Sequence, residues 1–219
     1  MPSLKRYKTF LLDANCIVYY CFNLTETSAS GQVIILKCMD HTGKISFTNK
    51  SIEMFDFVRN NSRRKIITIQ MIYEEVPDAL SRELKKQITY QDLRNQLGLP
   101  RGEPFPEDLE LKLIEKMNAN FLAFENHDWF TSDIFEADRN DINQVKRFYI
   151  QLESDGSKQG LLKTEQPLPG EKDINLIIFS RIKSFPLISN DKHIYGPRIE
   201  LKRDKLVYEI IPLMDISIN

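Results

Sequence analysis

Four acidic positions, far apart along the chain, each lie where an apolar stretch begins or ends. They are Asp13, the pair Glu74-Glu75, Asp173 and Asp191. Asp13 is the most unusual because it interrupts the apolar segment YKTFLLDANCIVYY. An ionised carboxylate in an apolar core is strongly unfavourable unless it is paired, protonated or bound to a metal. Asp13 therefore requires a compensating partner.

The elements around these acids determine whether they can meet. Short apolar runs rich in β-branched residues predict strands, which lie at 9–12, 65–70, 185–191 and 205–213. Helical patterns between these runs predict a parallel sheet covered by helices on both faces, which is a three-layer α/β/α fold. In such sheets, ligand sites lie outside the carboxyl ends of the strands. We therefore expect the acids to converge at one edge of the sheet.

Converging carboxylates need a cation. Carboxylates within about 4–6 Å of one another repel, and the pKa of some of them rises unless a positive charge is present. Oxygen ligands around an open side suit Mg²⁺ or Mn²⁺, which retain several waters and bind phosphate groups. A divalent metal is therefore one hypothesis for what compensates Asp13. Helix capping is the alternative, because Asp13 and Asp173 both lie at the start of predicted helices, where Asp is favoured without any metal.

In four segments, taken in order, the chain resembles the PIN-domain nucleases. These segments are FLLDANCIVYY, ITIQMIYEEV, GEKDINLIIFSRI and FPLISNDKHIY. The family's first motif is Asp, a small residue and then Asn, Ser or Thr, which corresponds here to Asp13-Ala14-Asn15. Its second motif places Glu before an aliphatic residue, which selects Glu75 over Glu74.

The other two motifs match the C-terminal part of the chain. The third begins a helix with Asp followed by an apolar stretch, here Asp173, and the fourth ends a strand with Ser/Thr-x-Asp, here Ser189-Asn190-Asp191. The final predicted strand, 205–213, also matches the end of the family's fold. The resemblance extends over about 7–76 and 165–219.

The resemblance implies a site, a cofactor and an activity. The ligands that it implies for Mg²⁺ or Mn²⁺ are Asp13, Glu75, Asp173 and Asp191. Asn15 and Ser189 would orient these carboxylates by hydrogen bonds. The implied activity is endonucleolytic hydrolysis of single-stranded RNA, in which the metal binds the scissile phosphate and lowers the pKa of the attacking water. A toxin of the VapC kind with an antitoxin partner, a stand-alone nuclease and a homodimer are all compatible with this resemblance.

The whole chain, residues 1–219, is predicted to form one PIN-like domain. Its core would comprise about 1–76 and 165–219, with an enlarged and largely helical segment at about 77–164. An inserted hairpin is expected within 32–48, because two β-rich runs flank the turn-forming residues Asp40–Gly43. Both additions lie near the expected rim of the cleft, so they bear on substrate choice.

Composition narrows the class of protein. Hydrophobic residues make up 42% and charged residues 28% of the chain, which fits a globular domain and argues against disorder. No apolar run approaches the length that spans a membrane, and three cysteines without a CxxC pair indicate reduced thiols, so a cytoplasmic protein is expected. The acidic run at 125–141 lacks the spacing and glycine of an EF-hand. His193 is expected at the surface.

Two other functions fit part of the pattern. A chain that kept the fold and lost catalysis would be a nucleic-acid- or protein-binding module. A haloacid-dehalogenase-like phosphatase also begins with an apolar strand and Asp, but it requires a second acid two residues later, where this chain has Asn15. Basic clusters at 63–65, 85–86 and 146–147 are candidates for phosphate contacts, although solvated surface is the simpler interpretation.

Overall fold

The computed structural model of the protein describes residues 4–39, 46–89, 92–100, 102–155, 158–162 and 168–216. Its seven strands are Thr9–Leu12 (β1), Leu24–Thr27 (β2), Val33–Leu36 (β3), Lys65–Ile69 (β4), Phe130–Asp133 (β5), Pro186–Ser189 (β6) and Glu209–Pro212 (β7). Its ten helices are Ala14–Cys21 (α1), Phe47–Arg59 (α2), Gln70–Tyr73 (α3), Val76–Thr89 (α4), Asp92–Leu97 (α5), Glu107–Glu125 (α6), Arg139–Ser154 (α7), Glu171–Lys183 (α8), Lys192–Tyr195 (α9) and Arg198–Arg203 (α10). These counts refer to the described ranges.

A five-stranded sheet in the order β5-β4-β1-β6-β7 forms the centre of the molecule, and every neighbouring pair in it is parallel. The central strand β1 is buried on both faces, since Phe10, Leu11 and Leu12 are fully inaccessible to solvent. A parallel strand covered on both faces needs such a continuous apolar run. The predicted α/β fold with a parallel sheet is therefore confirmed.

Helices cover the sheet on both sides. Helices α1, α2, α4 and α6 pack together, and α7 packs on α8, which contacts β6. The first group connects β1 to β4 and β4 to β5, while the second connects β5 back to β6 on the other side of β1. Because parallel crossovers are right-handed, connections that run in opposite directions lie on opposite faces. This arrangement is the three-layer α/β/α architecture.

A two-stranded hairpin that the sequence does not predict precedes the predicted turn. β3 lies in the predicted region, but it pairs with β2, which precedes it, through a turn in which Gly31 has φ +79°. The predicted turn, 40–43, lies outside the described residues, and only an isolated bridge joins Met39 to Ser46 around it. From Phe47 the chain forms α2, so the described residues show this bridge alone of the predicted pairing. The sequence of β2, LTET, does not predict a strand because it contains the charged residue Glu26. The buried carboxylate of Glu26 is paired with Lys112 and Lys116 of α6.

Strand β5 and the short length of β7 also differ from the sequence prediction. β5 has the polar sequence FTSD and lies at the edge of the central sheet, beside β4, within a segment predicted to be acidic and helical. β7 begins only at Glu209, because residues before it form a turn in which Lys205 has φ +56°. All three cysteines are buried and reduced. Among the residues described, no helix is long and apolar enough to cross a membrane.

Candidate functional site

The carboxyl ends of β1 and β6 meet at the point where the chain reverses its direction across the sheet. From β1 the chain proceeds toward β4, and from β6 it proceeds toward β7 on the opposite side. A crevice is expected where the connections from two adjacent parallel strands leave in opposite directions. Asp13 follows β1 directly, and its backbone N–H donates to the carbonyl of Ile188 in β6. Ser189 is the last residue of β6.

Asp13 is a buried carboxylate, with only 4% of its surface exposed. It occupies the N-cap position of α1, yet its side chain makes no capping hydrogen bond to that helix. Its Oδ2 instead accepts hydrogen bonds from the Ser189 hydroxyl at 2.7 Å and from the Asn15 amide at 3.3 Å. Side-chain capping of α1 therefore does not explain Asp13. Asn15 and Ser189, the two residues predicted to orient the carboxylate, both donate hydrogen bonds to it.

The protonation of Asp13 reports on its surroundings. The pKa of Asp13 is raised from 3.8 to about 6, mainly because the carboxyl is buried, and the Ser189 hydrogen bond opposes this shift. The negative charges of Asp191 and Glu75 contribute to the same rise. Three of the four predicted ligands therefore lie close enough to interact electrostatically, as expected for carboxylates converging at one sheet edge.

Asp191 is joined to Asp13 through Ser189. The Ser189 hydroxyl donates to Asp13 and accepts from the backbone N–H of Asp191 at 2.9 Å. The Asp191 carboxylate in turn accepts from the backbone N–H of His193 at 2.8 Å, which caps the short helix α9. One hydroxyl thus fixes the strand end that carries Asp191 relative to Asp13.

Glu75 and Asp173 are positioned by segments outside the central sheet. Glu75 lies between α3 and α4, and its two carboxylate oxygens form ion pairs with Arg82 at 2.6 Å and Lys172 at 3.1 Å. Asp173 lies one residue after Lys172 in the first turn of α8, where its Oδ2 accepts from the backbone N–H of Gly170 at 3.2 Å. The capping interpretation thus holds for Asp173, as the third residue of the helix rather than its N-cap.

The position of His193 was predicted incorrectly, and Tyr149 was not predicted to lie near the site. His193 was expected at the surface, but it is 2% exposed, and its Nδ1 lies 3.6 Å from Asp191 Oδ1. Tyr149 of α7 is fully buried and donates its hydroxyl to the carbonyl of His193. Burial raises the pKa of Tyr149, and the charges of Asp173 and Asp191 raise it further. Tyr149 therefore lies near both acids and connects the middle segment of the chain to the site.

The donor chemistry of the site suits a hard divalent ion, because every candidate ligand is an oxygen and carboxylates dominate. Within the described residues, however, no group of three or more His, Cys, Asp or Glu side chains is arranged to hold a metal ion. Both carboxylate oxygens of Glu75 are instead paired with the cations Arg82 and Lys172. Comparison with known proteins adds no assignment: no protein-family model, curated protein or solved structure matches the chain.

Replacing Ser189 with Ala will lower the free energy of unfolding by about 1–3 kcal/mol, because the change removes two hydrogen bonds around a buried carboxylate. Asp13 Oδ2 loses its shorter hydrogen bond, and the Asp191 N–H loses its acceptor. Urea denaturation at pH 7.5 measures this loss. Ser154→Ala is the matched control, since that hydroxyl is exposed and bonds only within its own helix, so a change within about 0.5 kcal/mol is expected. Equal effects of the two substitutions would show that Ser189 does not organise the site.

Proposed function

We propose that this chain is a metal-dependent endoribonuclease of the PIN-domain type that hydrolyses phosphodiester bonds in single-stranded RNA. One observation carries the proposal. Asp13 is buried at the switch point of a parallel sheet, is held there by Ser189, and has its pKa raised to about 6 by burial and by the charges of Asp191 and Glu75. Burial near other negative charges is unfavourable for an ionised carboxylate unless something compensates it.

In this proposal Asp13, Glu75, Asp173 and Asp191 hold Mg²⁺ or Mn²⁺. When bound, the ion supplies Lewis-acid polarisation of the scissile phosphate and a water of lowered pKa. A carboxylate must be ionised to bind a metal. Since the pKa of Asp13 is about 6, this ligand is mostly ionised at neutral pH and mostly protonated below pH 5.

The chain's own residues prepare the site for an ion and an anionic substrate. Ser189 holds Asp13 in one orientation, and Asn15 supplies a second, longer hydrogen bond to the same oxygen. The apolar residues of β1 and α1 exclude water from one side of Asp13. Electrostatic interactions are stronger in such a partly dry pocket than in water.

A binding module without catalysis is the second candidate, and the ion pairs of Glu75 favour it. Both oxygens of Glu75 contact cations, so this carboxylate is already neutralised without a metal. Such a module would bind RNA or a protein with no requirement for a divalent ion. A cytoplasmic location, an antitoxin partner and a homodimer stay predictions from the sequence.

Cleavage of an end-labelled single-stranded RNA by the purified chain distinguishes the two functions. The nuclease is expected to produce internal cuts with Mn²⁺ or Mg²⁺ and none in EDTA, because the carboxylates act through the ion. Folded protein that binds the RNA equally well in EDTA and never cuts it would support the binding module. Cleavage that persists unchanged in EDTA would contradict the metal-dependent proposal.

A further inference from the structure

Arg82 and Lys172 hold the carboxylate of Glu75 between them. Arg82 Nη2 lies 2.6 Å from Oε1, and Lys172 Nζ lies 3.1 Å from Oε2. The arginine belongs to α4 and the lysine to the first turn of α8, so the two cations approach Glu75 from different elements. Together, the two cations and the carboxylate carry one net positive charge.

These contacts contribute little to the stability of the fold. The Arg82 and Lys172 side chains are 63% and 46% exposed, and the Glu75 side chain is 26% exposed. Solvated ion pairs of this kind are worth little to folding, because water and salt screen the attraction and ordering long side chains costs entropy. Such pairs are also easily exchanged for another anion.

An anionic substrate needs positive charge beside this site. The chain has a formal net charge of -1, so no global positive field attracts a polyanion. Asp13, Asp191 and Glu75 would repel phosphate groups from the crevice. A guanidinium binds phosphate through parallel hydrogen bonds, and an ammonium binds it as a point charge.

We propose that Arg82 and Lys172 bind successive phosphates of the RNA backbone, and that Glu75 occupies them only until RNA arrives. This inference deepens the proposed nuclease function and rests on it for the identity of the polyanion. When phosphates engage the two cations, Glu75 loses its ion pairs, and its carboxylate would then be open to a divalent ion. RNA binding and the binding of such an ion would favour each other, since coupling between two sites is reciprocal by thermodynamic necessity.

RNA binding measured without metal tests the inference apart from catalysis. The experiment is fluorescence anisotropy of a labelled single-stranded RNA in EDTA, over a series of salt concentrations. The double variant Arg82→Gln/Lys172→Gln is expected to bind at least about tenfold more weakly, since charge-assisted hydrogen bonds to phosphate are lost. The slope of log affinity against log salt should become shallower by about 1.4, which corresponds to two phosphate contacts on a single strand.

A substitution of the carboxylate should act in the opposite direction. Glu75→Gln removes the anion that competes for the two cations, so RNA binding in EDTA should tighten by about threefold. The matched control pair is Arg59–Asp56, which has N···O 2.7 Å and similar exposure. It lies at the end of α2, just before the amino end of β4, and so at the sheet edge opposite the site. Arg59→Gln and Asp56→Asn should each change RNA affinity by less than about twofold.

The outcomes separate this inference from the nuclease proposal. Weaker binding of the double variant together with tighter binding of Glu75→Gln supports the phosphate-binding role, whether or not the wild type cleaves RNA. A wild type that cleaves RNA while the double variant binds it normally in EDTA overturns the inference and leaves the nuclease intact. A wild type with no measurable RNA binding in EDTA also overturns it, as does a control variant that weakens binding as much as the double variant.

Discussion

If the chain is the proposed nuclease, replacing Asp13 with Asn will lower its single-turnover rate of Mn²⁺-dependent RNA cleavage by at least about 100-fold. Outer-sphere partners of a metal ligand account for about 10- to 100-fold in metal affinity or activity, so a ligand itself is expected to exceed that range. The Asn side chain keeps an oxygen that accepts from Ser189, and the local geometry is therefore retained. The loss should arise from the missing charge and not from unfolding.

Asp138→Asn is the matched control for this experiment. Asp138 is also a carboxylate at a helix N-cap, where it accepts from the backbone N–H groups of Asn140 and Asp141 at the start of α7. Its replacement should leave cleavage within about twofold of the wild type, and Asp191→Asn should behave like Asp13→Asn. Robust cleavage that survives both Asp13→Asn and Asp191→Asn would show that the active site lies elsewhere.

Asp13→Asn will also make the protein more stable than the wild type in EDTA at pH 7.5, by about 1–3 kcal/mol. The folded-state pKa of Asp13 is raised from 3.8 to about 6. An acid whose pKa is raised by folding holds its proton more tightly in the native state, so wild-type stability falls as pH rises through this window. The full difference corresponds to about 3 kcal/mol, and the new amide donor of Asn reduces the net gain.

The pH dependence distinguishes this effect from ordinary packing changes. Because the substitution removes the buried charge, the free energy of unfolding of Asp13→Asn should exceed that of the wild type. This difference should grow between about pH 4 and pH 6 and stay constant at higher pH. Urea denaturation of both proteins at pH 4 and pH 7.5 measures the two differences, and subtraction cancels the titration of groups unaffected by the substitution. A variant that is less stable than the wild type by the same amount at both values would contradict the assigned state of Asp13.

The buried centre of the fold could be predicted from sequence because its strands are short apolar runs. β1 and β6 are buried along most of their length, and each is followed by a carboxylate, so both the strand and the acid at its end stand out. β5 could not be found in this way. It is an edge strand with the sequence FTSD, and partial exposure removes the apolar signal that marks the central strands.

Contacts between residues far apart along the chain explain why the sequence did not predict β2 or the surroundings of His193 and Glu75. The charge of Glu26 argues against a buried strand, and it is tolerated because Lys112 and Lys116 reach it from α6, which lies far along the chain. The backbone carbonyl of His193 accepts a hydrogen bond from Tyr149, which comes from a helix with no local pattern that points to the site. The contact of Glu75 with Lys172 likewise depends on α8, which lies far along the chain from Glu75.

Calorimetric titration of Mn²⁺ into the metal-free wild type and the Asp13→Asn variant at pH 7.5 tests most directly whether these carboxylates form one metal pocket. We expect saturable binding to the wild type and at least a tenfold weaker association with the variant, with Asp138→Asn indistinguishable from the wild type. Equal Mn²⁺ affinity in the wild type and in Asp13→Asn, or no binding to a folded wild type, would contradict the account.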